Sequence, residues 1–292
     1  MSVERKIYIL VGAHRFARFI ALLGMIMLLG CAHAQTALPR HSPYPGGVAV
    51  IRIDETGEHA LEAWFDDKRV LMLRQASGWV ALVGLALDIK PGRKILQIKS
   101  EGPLKPAYDV VFEVKPKAYP VQHLKIGSRF MQPSDDDLKR NEREQIAIGR
   151  AKNHWSNDTP ENFILDLPAG GRLSAHFGLR RVLNGEEGSP HAGLDVAIST
   201  GTPLRTAAAG RVVNTGDYFY SGKTVFVDHG QGFITLYIHL SRIDVKEGDR
   251  VGRGAMLGLS GATGRVTGPH LHWAVMLNGA YVDPELFLKP VR

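Results

Sequence analysis

One cysteine, Cys31, stands in 292 residues. A lone cysteine excludes an intramolecular disulfide framework. Because it falls in an N-terminal leader, it also excludes a structural thiolate metal site and leaves no reactive thiol for the mature chain. Sequence repeats of solenoid period are missing. So are nucleic-acid motifs and basic helices with interleaved aromatics, which removes nucleic acid as a partner. The proportions of 44% hydrophobic and 22% charged residues argue against wholesale disorder and against a multi-span membrane protein.

The first 34 residues differ from the rest. Arg5, Lys6, Arg15 and Arg18 make a basic start, and Phe19 to Gly30 is an almost unbroken apolar run. That run has the length of a signal-peptide core and is short for a bilayer span. Ala32-His33-Ala34 meets the small-x-small cleavage rule, so residues 1–34 are expected to be a signal peptide with Gln35 as the first mature residue. Leu28-Leu29-Gly30-Cys31 also resembles a lipobox, although Leu29 is less usual at its place. On that reading Cys31 becomes a lipidated N-terminus associated with the outer membrane. The formal net charge is +7. Loss of the leader, with four basic residues and one acidic, leaves a mildly basic chain that suits an acidic surface.

Residues 35–47, rich in Pro, Gly and Ser, read as a linker. Residues 48–130 read as short strands separated by turn signals such as Pro91-Gly92. They include Val48–Ile53, Arg69–Leu73, Trp79–Val83, Lys94–Ile98 and Val110–Val114. This spacing predicts a small immunoglobulin-like β-sandwich, an accessory module without a chemistry-bearing cluster. Residues 131–160 read as a helical linker, because Ser134 ahead of Asp135, Asp136 and Asp137 is an N-cap followed by an acidic first turn. Residues 161–292 are again strand-like and Gly-rich. The fold class is therefore mainly β.

Seven of the 12 histidines lie from His154 onward. Three segments stand out: Pro190-His191-Ala192-Gly193-Leu194-Asp195, Thr235-Leu236-Tyr237-Ile238-His239-Leu240, and Gly268-Pro269-His270-Leu271-His272-Trp273. In a strand, residues i and i+2 share a face, so His270 and His272 present two imidazoles side by side. Both can bind one metal, or one can bind it while the other faces a substrate. His191 and Asp195 have the same parity and can converge from one side. Imidazole and carboxylate are good zinc ligands, and three of them leave an open position. Tyr237 reads as core packing, His229 as a turn residue, and His176 as a polar strand-edge residue.

Taken together with Ser174-Ala175-His176-Phe177-Gly178-Leu179-Arg180, Gly201-Thr202-Pro203, Gly210-Arg211-Val212 and Val245–Val251, these blocks resemble the LytM/lysostaphin-type zinc metallo-endopeptidases. The resemblance covers about Phe163 to Pro290. It implies a compact, mostly antiparallel β domain over residues 161–292, with one zinc ion per chain on His191, Asp195 and His272. His239 and His270 would then act on water and oxyanion. It also implies peptidoglycan stem peptides as substrate. The N-terminal module and helix look more loosely like those attached to such enzymes in Gram-negative bacteria, where an exported chain is periplasmic. No His-Glu-x-x-His helix is present, so a histidine must handle the proton. The alternative is a non-catalytic regulator or wall-binding activator of another murein hydrolase, as in relatives that lack the ligands; here all five residues are present. A biotinyl-type carrier hairpin at Val245–Val251 would leave the histidines unexplained. With no chemical cluster, the N-terminal module is expected to be dispensable for the chemical step.

Overall fold

The apolar runs do form strands, and many are apolar throughout because both of their faces are covered. The computed structural model describes residues 37–55, 61–100 and 107–289, so the expected leader and Cys31 lie outside the described residues. The first six strands are β1 (Val48–Ile53), β2 (Leu61–Phe65), β3 (Lys68–Gln75), β4 (Gly78–Gly84), β5 (Gly92–Ser100) and β6 (Tyr108–Val114). They join in one antiparallel sheet of order β1-β4-β3-β2-β5-β6. An immunoglobulin fold would divide its strands between two sheets. Here the eight-residue β3 pairs with β2 through Lys68–Val70 and with β4 through Leu71–Gln75, which makes the sheet continuous.

Alternation along β1, β3 and β4 sends side chains into two cores. Ala49, Ile51, Val70, Met72, Ala81 and Val83 pack with Ala63, Leu96 and Ile98 of the same sheet. Val48, Leu71, Leu73, Val80 and Leu82 join the core of the C-terminal region, with Phe163, Phe233, Trp273 and Phe287. At about 2 kcal/mol for each buried aliphatic side chain, these five contribute on the order of 10 kcal/mol gross. That is comparable to the net stability of a whole domain. Polar clamps fix the same contact: the Asn278 amide exchanges two hydrogen bonds with the backbone of Gly84, and Gln231 Oε1 accepts from the Met72 N–H at 3.0 Å. Thr36–Arg292 accordingly forms one compact unit.

Strand β7 (Val121–Leu124) and helices α1 (Ser128–Met131) and α2 (Asp135–Lys152) connect the two regions. Helix α2 begins as its sequence requires, with the Ser134 hydroxyl accepting from the Asp137 N–H at 3.2 Å. The C-terminal strands are β8 (Arg172–Ala175), β9 (Arg180–Leu183), β10 (Glu186–Glu187), β11 (Leu194–Ala197), β12 (Pro203–Arg205), β13 (Gly210–Tyr218) and β14 (Gly222–Asp228). They continue with β15 (Ile234–Leu240), β16 (Arg242–Ile243), β17 (Arg250–Val251), β18 (Met256–Leu259), β19 (Leu271–Leu277) and β20 (Ala280–Val282). The main sheet runs β17-β13-β14-β15-β19-β11-β8, with β20 also on β19. A small sheet of order β12-β18-β16 lies apart from it, and β7 pairs in parallel with β9, next to β10. No described helix is long and apolar enough to cross a membrane.

Candidate metal centre and cleft

Three adjacent strands, β11, β19 and β15, deliver most of the residues singled out above. The register sets Asp195 opposite His272, and His272 opposite Ile238. His191 arrives from the segment before β11, where its N–H donates to Leu179 O and its carbonyl accepts from the Gly178 N–H, both at 2.8 Å. Gly193 lets this segment pass close to β19. A Cβ there would lie 2.5 Å from Trp273 O and 2.7 Å from His272 Nε2, distances no other residue tolerates.

The donor atoms converge. His191 Nε2 lies 2.9 Å from Asp195 Oδ1 and 3.0 Å from His272 Nδ1, and the latter two are 2.8 Å apart. His191 Nδ1 donates to His176 O at 2.7 Å, so in a neutral ring Nε2 presents a lone pair. Arg181 Nη2 donates to Asp195 Oδ2 at 3.2 Å, which leaves Oδ1 to the cluster. Burial works against charge on Asp195. The His191 and His272 imidazoles facing it more than offset this and hold its carboxyl below the usual carboxylate range. Burial pushes the His272 imidazole down, toward its neutral form. One carboxylate and two imidazoles with lone pairs turned inward repel one another unless a cation lies between them. The set therefore fits a metal with three protein ligands and an open position.

His239 and His270 stand beside this cluster, their ring centroids 4.9 Å apart, and His239 is 6.1 Å from His272. Each ring is aimed by the same device. His239 Nδ1 donates to Thr263 O and His270 Nδ1 to Gly268 O, both at 2.8 Å, so Nε2 is the free nitrogen in each. His270 Nε2 is 3.7 Å from Asp195 Oδ1. His239 has φ 70°, a left-handed conformation that costs an ordinary residue about 1–2 kcal/mol. The register of β14 against β15 slips between Lys223 and Val225, and this bulge re-aims the His239 side chain. Burial, and then the nearby His272 and His270, push its pKa down to about 3, so His239 is neutral at pH 7.

The structure thus brings together all five residues expected from the sequence: Asp195, His239, His270 and His272 line a cleft of about 270 Å³, and His191 is buried beside Asp195 and His272. It also adds residues the sequence did not reveal. Gln122, Leu124 and Ile126 line the cleft from the connecting segment, and Arg181 and Arg265 line it from the C-terminal region. The N-terminal half is therefore not separate from the site. Strand β7 is held there by parallel pairing of Val121–Leu124 with Arg180–Leu183. Their signal was weak: a four-residue run after Pro120, paired with a strand about 60 positions away. His176 proves to act through its backbone, since its carbonyl fixes the tautomer of His191 while its side chain meets Glu285 at the surface. His229 stands in the turn between β14 and β15, and its side chain is buried in a hydrogen-bonded chain of its own.

With this geometry in place, comparison with known proteins gives one answer. Residues 189–284 match the model of Peptidase family M23, and residues 41–117 match the Peptidase family M23 N-terminal domain. A crystal structure of a protein assigned to peptidase M23 from Pseudomonas aeruginosa is 43% identical, with a TM-score of 0.72 over 85% of this chain and 96% of that one. The chain belongs to peptidase family M23. Among curated relatives, peptidoglycan DD-endopeptidase ShyA of Vibrio cholerae is 45% identical over 113 residues, 38% of this chain and 26% of its own length. DD-carboxypeptidase/endopeptidase Mpg of Neisseria meningitidis is 40% identical over 119 residues, 41% of this chain and 27% of the relative. The match thus spans about a quarter of these curated relatives.

Proposed function

We propose that this chain is a zinc-dependent endopeptidase that hydrolyses peptide cross-links of bacterial peptidoglycan. The observation that carries the reading is the convergence of His191 Nε2, Asp195 Oδ1 and His272 Nδ1 within 3.0 Å of one another, beside a cleft holding two further oriented imidazoles. Donors of this kind suit zinc, with a carboxylate and imidazoles in place of thiolates. When bound, zinc supplies a water of pKa near 7 and a Lewis acid for a carbonyl oxygen.

The remaining chemistry belongs to the protein. His239 is neutral and keeps its one N–H on Thr263, so its Nε2 works as an acceptor for the proton of the attacking water. His270 Nδ1 is likewise spent on Gly268 O, so its Nε2, beside His239, is the nitrogen placed to meet the developing oxyanion or the leaving amine. Arg181 holds Asp195 in place through Oδ2. The peptidoglycan substrate is supported by the activities named for the Vibrio and Neisseria relatives. The signal-peptide pattern of residues 1–34 supports export to the periplasm, by cleavage after Ala34 or by lipidation of Cys31.

The test is to incubate the mature protein with purified peptidoglycan, with and without a zinc chelator, and to identify new termini by mass spectrometry. New amino and carboxyl termini within the cross-linked peptides, lost on chelation and restored by zinc, are expected. Release of sugar fragments alone, or cleavage indifferent to the chelator, would overturn the reading.

A further inference from the structure

The cleft is more basic than its metal ligands require. Arg181 and Arg265 both line it, and Asp195 is the only carboxylate among the described residues on its walls. Asp195 is already committed to the ligand cluster and to Arg181. The Arg265 guanidinium makes no hydrogen bond or ion pair with any other described residue. The guanidinium lies over the face of Tyr220, with Cζ 4.8 Å from the ring centroid. A guanidinium offers five N–H donors, so this one is left with its recognition capacity unspent.

The position of Arg265 is nonetheless fixed. Its backbone N–H donates to Tyr220 O at 2.8 Å. The preceding Gly264 has φ 74°, and a Cβ on it would lie 2.4 Å from Gly222 N, so this loop is pressed onto the β13–β14 turn. Tyr220 in turn packs on Phe219 and Phe130, with centroids 4.7 and 6.4 Å away. Burial pushes both guanidinium pKa values down, and the charge of Arg265 adds to the effect on Arg181. Both side chains line the same cleft. Gln122 Oε1 and Arg181 Nε, which belong to residues lining the same cleft, are buried without a hydrogen-bond partner.

We propose that Arg265, with Arg181 behind it, forms a carboxylate-binding subsite that selects peptide substrates bearing a free carboxylate on the fragment lying in the cleft. An anion there meets a fixed, partly desolvated fork of donors and balances a charge the protein leaves uncompensated. The inference rests on the endopeptidase reading. The carboxylate has two possible sources, the terminal carboxyl of the peptide or an acidic side chain.

The experiment uses the metal-loaded full protein and a soluble cross-linked muropeptide in three forms: free acid, terminal carboxyl amidated, and side-chain carboxyls amidated. Wild type is expected to show KM roughly 10- to 100-fold lower for the free acid than for one of the amides, the range for losing a charge-assisted hydrogen bond. The disfavoured amide identifies the carboxylate. In Arg265→Ala the ratio of kcat/KM between acid and that amide falls toward one. Arg265→Lys keeps the charge but not the fork and gives an intermediate ratio. A ratio unchanged in Arg265→Ala, or a wild type indifferent to both amidations, overturns the subsite. Calorimetric titration of the same proteins with acid and amide forms of the peptide reads binding without turnover. If wild type cuts none of the substrates, the endopeptidase reading fails. The subsite is then decided by whether carboxylate-dependent affinity is present and is lost in Arg265→Ala.

Discussion

Two groups of buried histidine share the main sheet, and only one is equipped for chemistry. Around His229 every hydrogen finds an acceptor. The Ala207 N–H meets the Tyr237 hydroxyl at 2.8 Å, Tyr237 and Thr235 hydroxyls are 3.1 Å apart, Thr235 is 2.8 Å from His229 Nε2, and His229 Nδ1 reaches Ala209 O at 2.7 Å. This chain is closed, and nothing in it asks for a ligand. Around Asp195 three lone-pair atoms crowd together instead, and two more imidazoles spend only one nitrogen each on the backbone. Burial of a histidine is common to both groups. The difference is whether each nitrogen has a protein partner.

The largest way to test this contrast is to remove a ligand. Asp195→Ala and His272→Ala are each expected to take metal content from about one per chain to near zero and to abolish turnover, as read by elemental analysis and a muropeptide assay. Full metal occupancy in either variant would mean that the convergent atoms are not the ligands. Next, His239→Ala and His270→Ala should keep the metal and lose about 10²–10⁴-fold in kcat, the usual weight of general acid–base groups. Turnover near wild type in one of them would move that residue out of the chemistry.

The closed group should respond in the opposite way. His229→Ala leaves Ala209 O and Thr235 without their buried partner and should cost about 1–3 kcal/mol of stability in denaturant unfolding. Metal content and kcat of the folded fraction should be retained. Loss of metal from a folded His229→Ala would erase the distinction between the two groups. The smallest effect concerns pH. Burial pushes the His229 pKa below its ordinary value, so the unfolded chain takes up a proton that the native one refuses. Its contribution is fully present above the unfolded pKa of about 6.5 and is lost as pH falls toward the folded value. Unfolding free energy should therefore decline below about pH 6.5, and less steeply in His229→Ala. Equal slopes in the two proteins would show that His229 titrates alike in both states.

Much of the site was legible in the sequence because its spacing is local. His270 and His272 share a strand face by period-two alternation, and the block from His191 to Asp195 spans a single bend. The strand pattern of Val48–Ile53 and the cap at Ser134 were readable for the same reason. Strand β2 carries the same period-two signal, since Leu61, Ala63 and Phe65 alternate inward. The role of His229 was not readable, because Asp228-His229-Gly230 looks like a turn until Thr235 and Ala209 close around it.

The sequence by itself determined the mainly β class, the capped helix, the five histidine and aspartate positions and the family they resemble. These follow from side-chain chemistry and short-range periodicity, which act between neighbours along the chain. Only the tertiary structure decided that the N-terminal sheet shares its core with the C-terminal one. It alone brought β7 beside β9 to set Gln122 and Leu124 in the cleft, gave His239 its left-handed backbone, and left Arg265 lining that cleft with no counter-charge among the described residues. Each of these depends on the register between segments far apart in sequence. That register is settled by which packing buries the most apolar surface while pairing every backbone group, and no short stretch of residues contains it.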